Sequence, residues 1–215
     1  NMQKIFDKIL SIKNKHKSRI VFDTRDLKKN DIFLGIKTQN NDGSLYFKDA
    51  IRKKASLILI NNSKAYHQNI IHINNIDYFI LNFCKFLLSQ YKGKIIAITG
   101  SVGKTTIKEN IFNILKKNNF IVSKSYKNFN NKLGLKFSIM NMNLKSNYSI
   151  FELGINAPLE MKSLVKILNP HYCLVTGIEN SHIGNFKNFN TLVNNKLQIF
   201  QSKNLIKGLI NYSHS

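Results

Sequence analysis

A chain of 215 residues that is 43% hydrophobic, with only two prolines and ten glycines, holds enough apolar material for one large core or two small ones, which excludes a disordered or linker-like polypeptide. Its formal charge of +22, from 33 basic against 11 acidic residues, is spread along the whole sequence among many Asn and Ile residues. That spread is the bias of an AT-rich coding sequence more than a dedicated polyanion surface, and no aromatic-basic RNA motif or zinc-finger spacing accompanies it.

The two cysteines, Cys84 and Cys173, stand far apart in apolar surroundings, as buried reduced thiols do. No apolar run reaches membrane-spanning length, since the best candidate, residues 79–88, is interrupted by Asn82 and Lys85. No secretory leader is recognisable. The expectation is a cytoplasmic monomer with no membrane span and no nucleic-acid partner.

In chain order, the first 75 or so residues mix short apolar runs at 32–36 and 56–60 with a polar turn at 40–43, the pattern of a small α/β domain. Residues 76–91 repeat apolar positions at helical spacing through Phe79, Ile80, Phe83, Phe86 and Leu87, and Gly93 would end that helix. Beyond Lys94, β-like runs at 95–99, 120–123, 149–153 and 172–176 alternate with helical segments at 104–118, 131–142, 158–168 and 189–202. Pro158 would then lie in a first helical turn. This alternation predicts a mainly parallel sheet flanked by helices, with functional residues at the carboxyl ends of its strands. The expected fold is a small N-terminal α/β domain, residues 1–80, followed by a P-loop central domain, residues 81–215.

One segment carries chemistry on its own. Thr99, Gly100, Ser101, Val102, Gly103, Lys104, Thr105 and Thr106 follow a predicted strand and open a predicted helix. A phosphate binder needs inward-pointing backbone N–H groups, a helix N-terminus, a cation and a hydroxyl for magnesium. Gly100 and Gly103 permit the tight turn, Ser101, Val102 and Thr106 complete the loop, Lys104 reaches the phosphates and Thr105 ligates Mg2+. Ile98 stands where the full motif has its first glycine, so the match is to the shorter Gly-x-x-Gly-Lys-Thr form. Without a ligand, the bland reading is an ordinary strand-to-helix turn.

The string from Ile98 to Glu109 resembles the Mur ligases, which attach amino acids to the UDP-linked precursor of bacterial peptidoglycan. Gly100-Ser101-Val102-Gly103 and the trailing Lys108-Glu109 look like the branch that joins D-alanyl-D-alanine to UDP-N-acetylmuramoyl-tripeptide. The branch that adds the third amino acid usually has Thr-Asn between the glycines. The resemblance extends to Asp23-Thr24-Arg25, Asn30-Asp31, Asp42-Gly43, the segment 128–134, Phe151-Glu152-Leu153-Gly154, the segment 176–182 and Asn195-Lys196. Departures are Lys132 where that branch has Glu, Lys136 where it has Pro, and Gly177 where it has Asn.

The resemblance implies ATP and Mg2+ as cofactors and an amide-forming reaction through an acyl phosphate. It implies Glu152 and His182 as metal ligands beside Thr105, with Lys104, His182 and Lys196 catalytic and Lys196 carbamylated so that it also serves the metal. It implies substrate contacts at Thr24 and Arg25, in a UDP-substrate domain, and at Asn130 and Asn131. Read alone, Glu152 would be a solvated strand-end acid, His182 structural, Lys196 a solvated surface lysine, and Asn130 and Asn131 turn and cap residues. The family adds the rest of the central domain and a third, C-terminal domain beyond this length, so the chain is expected to be an inactive part of the enzyme. Alternatives are the ligase for the third amino acid and a non-catalytic polyanion-binding module.

Overall fold

The computed structural model describes residues 2–38, 41–126, 129–179 and 185–211. The chain divides into two compact units, Asn1–Phe83 and Cys84–Ser215.

The first unit contains α1 (Met2–His16), β1 (Ile20–Val21), β2 (Ile32–Leu34), a 3-10 turn (Gly43–Tyr46), α2 (Phe47–Arg52), β3 (Leu57–Ile60) and β4 (Ile70–His72), and α3 (Ile76–Gln90) begins within it. Its four strands are parallel in the order β1-β2-β3-β4. Strands covered on both faces need apolar residues at every position, and β2 and β3 are buried throughout. One core groups Val21, Phe33, Ile58 and Ile60 with Ala50 and the flanking Phe47 and Ile51 of α2. Elsewhere Phe6 of α1 packs edge-on to Phe79 and beside Phe83, with ring centroids 5.4 and 5.1 Å apart. Asp31 ties the starts of β1 and β2 together. It accepts from the Arg19 amide at 2.9 Å and the Lys28 amide at 3.0 Å, and pairs with the Arg19 guanidinium at 2.5 Å.

The second unit holds β5 (Lys94–Thr99), α4 (Lys104–Lys117), β6 (Val122–Lys124), α5 (Lys132–Asn141), β7 (Tyr148–Glu152), α6 (Glu160–Leu168), β8 (Tyr172–Val175), α7 (Phe189–Leu197) and β9 (Lys207–Ile210). The five strands are parallel in the order β6-β7-β5-β8-β9. After β5 the chain passes to the edge strand β6 and returns to fill the gap with β7 beside β5, then crosses to build β8 and β9 on the other side. That reversal opens a crevice at the carboxyl end of β5, where α/β sheets bind ligands. On one face Ile96, Ile98 and Ile150 pack against Ile107, Ile111, Phe112 and Leu115 of α4.

Several element ends differ from the expectation. Pro158 precedes α6, which starts at Glu160 behind Leu159, a residue in the left-handed region at φ 68°. The turn before α6 is closed instead by the Glu160 carboxylate, which accepts from the Asn156 and Ala157 amides. Asn131 caps α5 rather than beginning it, and α7 ends at Leu197 and tightens into a 3-10 turn, Gln198–Gln201. Among the described residues no helix is long and apolar enough to cross a membrane.

Candidate functional site

The crevice at the end of β5 is floored by the turn from Thr99 to Lys104. Gly100 has φ 150° and Gly103 φ 80°, both in the region that disfavours side chains. Space adds a second constraint at Gly100 alone. A Cβ there would fall 1.9 Å from Thr176 Oγ1, whereas at Gly103 no atom of the described residues lies within 4 Å. The turn is stitched to the end of β8 through the main chain, the Ser101 and Val102 amides donating to the Gly177 carbonyl at 2.8 and 3.4 Å. The Thr176 hydroxyl lies 2.5 Å from the Val102 carbonyl and 3.2 Å from that of Thr99. Ser101 Oγ accepts from the Glu179 amide at 3.1 Å.

Lys104 is the first residue of α4, placed by Gly103 as the left-handed N-cap. Its ammonium folds back on the turn, donating to the carbonyls of Gly100 at 2.9 Å and Ser101 at 3.0 Å. Burial lowers its pKa, and the Glu152 charge acts in the opposite sense. Val102, Thr105 and Thr106 are exposed.

Glu152 is the last residue of β7, paired with Ile98 of β5 and 1% exposed. Its Oε2 accepts from Thr105 Oγ1 at 3.2 Å. Lys108, one turn beyond Lys104 on α4, brings Nζ to 2.7 Å from Oε1, both side chains being 2% exposed. Among the described residues Oε1 has no hydrogen bond of good geometry, so this is a contact of charge. Glu152 is thus a buried member of an ion pair and not a solvated strand-end acid.

Lys196 is likewise buried, 3% exposed on α7, and donates to the Gly100 carbonyl at 3.1 Å. Desolvation, and then the neighbouring Lys104 charge, push its pKa down to about 8. A solvated surface lysine is excluded. The adjacent Asn195 holds the backbone of the β7–α6 connection, its Oδ1 accepting from the Leu159 amide at 3.0 Å.

A hard divalent cation takes oxygen ligands and keeps water or phosphate in the rest of its shell. The Thr105 hydroxyl and the Glu152 carboxylate, with Oε1 short of an aligned hydrogen bond, fit Mg2+ on those terms. Among the described residues no three His, Cys, Asp or Glu side chains gather into an all-protein metal cage. His182 lies outside the described residues.

Asn130 comes to the same strand end. Its carbonyl accepts from the Gly154 amide at 2.8 Å, and a Cβ on Gly154 would fall 2.7 Å from its side chain. Asn131 is the N-cap of α5, with Oδ1 accepting from the Gly134 amide at 2.8 Å. In the first unit, Thr24 and Arg25 form the turn after β1. The exposed Arg25 is held by both oxygens of Asp23, whose carboxyl it keeps below the usual range. Asp42 serves local structure, its Oδ1 accepting from the Ser44 amide to cap the 3-10 turn.

Sequence reasoning assigned no place in the site to Lys108, to the Thr176 hydroxyl or to the Gly177 carbonyl. For Lys108 a signal existed. It shares the 3.6-residue face of Ile111, Phe112 and Leu115, so a charge stood on the side of α4 that turns toward the core.

The Mur ligase middle domain profile matches residues 98–213, from the penultimate residue of β5 to beyond β9. The chain therefore belongs to the Mur ligase family. It is 36% identical over 202 residues to the UDP-N-acetylmuramoyl-tripeptide--D-alanyl-D-alanine ligase of Rickettsia prowazekii, covering 92% of this chain and 44% of that protein. It is 31% identical over 184 residues to the ligase of the same name from Buchnera aphidicola subsp. Baizongia pistaciae, covering 84% and 40%. The same fold occurs in the MurF ligase of Thermotoga maritima in complex with ADP, with a TM-score of 0.73 and 24% identity over 90% of this chain and 45% of that one. It also occurs in MurF of Acinetobacter baumannii, with a TM-score of 0.76 and 23% identity over 89% and 43%. The chain spans less than half the length of these relatives.

Proposed function

We propose that this chain supplies the UDP-substrate unit and much of the ATP-binding unit of a ligase that joins D-alanyl-D-alanine to UDP-N-acetylmuramoyl-tripeptide in peptidoglycan synthesis. The observation that carries the reading is the convergence at the end of β5, where Lys104 and Lys196 meet at the Gly100 carbonyl and Glu152 meets Thr105.

The chemical difficulty is repulsion between anions. A substrate carboxylate must attack the γ-phosphate of ATP, giving ADP and an acyl phosphate, and the amine of D-alanyl-D-alanine then displaces phosphate to form the amide. Backbone N–H groups of Gly103–Thr106, at the start of α4, cradle the phosphates, the Ser101 and Val102 amides being engaged by the Gly177 carbonyl. Lys104 leaves the loop carbonyls to neutralise charge on the transferring group, and fixed geometry holds the nucleophile in line. Mg2+, held by Thr105 and Glu152, would supply further charge neutralisation when bound.

Lys196 takes a second role in this reading. Only a neutral amine adds to CO2, and a pKa of about 8 makes that form accessible near neutral pH. The resulting carbamate would place an anion beside the loop, to serve the metal or orient it. Thr24 and Arg25 are assigned to the UDP end of the substrate, Asn130 and Asn131 to the same substrate, and His182 to a second metal position.

The test is phosphate release by the full-length protein with ATP, UDP-N-acetylmuramoyl-tripeptide and each candidate amine. Turnover requiring D-alanyl-D-alanine supports the proposal. Turnover with a free amino acid alone moves the protein to the branch adding the third residue, and salt-sensitive DNA or RNA binding without ATP use would replace the enzyme reading altogether.

A further inference from the structure

Lys108 is buried beneath the start of α4, in a chain whose lysines are mostly at the surface. It sits 2.7 Å from Glu152 Oε1 and donates to the Ser125 carbonyl at 3.4 Å, while Ser125 Oγ accepts from the Glu152 amide at 3.3 Å. The more exposed Glu109 lies 3.9 Å away and is also engaged by Lys124. One ammonium therefore joins α4 to the ends of β6 and β7, with its charge set against the carboxylate assigned to the metal.

A buried ion pair is a costly way to build a core, since a well-packed apolar pair of the same volume is often as stable. What the pair does here is electrostatic. With Lys108 in contact, the Glu152 carboxylate presents almost no net negative charge to a free cation, yet it remains positioned with Oε2 on Thr105.

We propose that Lys108 is a positioning residue, a resident counter-cation that makes metal binding at Glu152 and Thr105 conditional on nucleotide. A lone divalent ion meets a neutralised carboxylate and binds weakly. A nucleotide seated on the loop brings phosphate charge that outweighs Lys108, so metal and nucleotide enter as one unit and each strengthens the other by the same factor. This rests on Glu152 and Thr105 holding the cation as in the proposed function.

The experiment is Mn2+ binding to the full-length protein, followed by electron paramagnetic resonance with and without ADP. The wild type should bind Mn2+ weakly alone and much more tightly with ADP. Lys108→Met should tighten nucleotide-free binding by roughly tenfold or more, and shrink the ADP effect accordingly. Lys108→Arg should restore the dependence. Should the Met variant not fold, Lys108→Gln, which keeps a polar head against Glu152, is read in its place.

A wild type that binds Mn2+ equally well with and without ADP overturns the inference, as does a folded neutral variant with unchanged nucleotide-free affinity. Glu152→Gln separates the two layers. If it leaves ADP-promoted Mn2+ binding intact, the assignment of Glu152 as ligand fails. If it abolishes that binding while Lys108→Met changes nothing, only the role of Lys108 fails.

Discussion

Lys104 and Lys196, 92 positions apart in the sequence, donate to the same carbonyl oxygen, that of Gly100, at 2.9 and 3.1 Å. Burial first, and then the neighbouring Lys104 charge, bring Lys196 from 10.5 down to about 8. Between those pH values the unfolded chain binds more protons at this residue than the folded one, so its contribution makes stability rise with pH across that window. Thermal melts of the wild type should show that upward slope, and Lys196→Met should flatten it. A variant with the wild-type slope would show that the proton is lost elsewhere.

The same lysine gives a chemical prediction. Full-length protein incubated with 13C-labelled bicarbonate should show a carbamate carbon resonance that Lys196→Ala removes. That variant should lose most turnover and recover part of it with added small carboxylates. Absence of both resonance and rescue would end the carbamate assignment.

The two loop glycines should separate conformational from steric cost. Gly100→Ala combines φ 150° with a Cβ 1.9 Å from Thr176 Oγ1, so it should destabilise by about 2 kcal/mol or more and abolish ADP binding measured by calorimetry. Gly103→Ala meets only the left-handed φ of 80°, and about 1 kcal/mol is expected. Equal costs at the two positions would contradict the crowding at Gly100.

Leu159 is 67% exposed and held at φ 68°, so it contributes little burial and carries left-handed strain. Leu159→Gly should stabilise the chain by about 0.5–1 kcal/mol, the relieved strain outweighing the added freedom of the unfolded chain. Denaturant titration with an unchanged slope is the check.

At α5, Asn131→Ala should cost about 1 kcal/mol by removing the cap, while Asn131→Asp should keep it. If Asn131 also contacts the UDP substrate, Asn131→Asp will raise KM in the full-length enzyme without changing the melting temperature. Next to it, Lys132 places a cation in a helix first turn that holds no acid. Lys132→Glu should gain about 0.3–1 kcal/mol.

In the second unit β5, β7 and β8 were legible as apolar runs bounded by helical segments, whereas β6 was expected at 120–123 and lies at Val122–Lys124, and the exposed β9 was not anticipated. The carboxyl ends of β5 and β7 therefore fell where Thr99 and Glu152 required. In the first unit, β1 and β4 have two and three residues, too few for any period to register. The Lys-rich α1 went unassigned, since only Phe6 and Ile9 of its 15 residues are buried. Pro158 misled because a proline before a helix reads the same whether it lies in the first turn or just ahead of it. At the site, the glycines and Lys104 announce themselves by spacing. The burial of Lys196 and the partnership of Lys108 with Glu152 depend on contacts across 96 and 44 positions, which no local pattern encodes.

The loop is attached to the main chain of residue 177, so glycine there in place of the family's asparagine leaves that attachment in place. Ser101 and Val102 read the carbonyl of residue 177, which every amino acid possesses, and among the described residues a Cβ there would meet Val102 Cγ2 alone, at a tight 3.3 Å. The grip on the loop is written in the backbone of residue 177 and leaves no letter in the sequence.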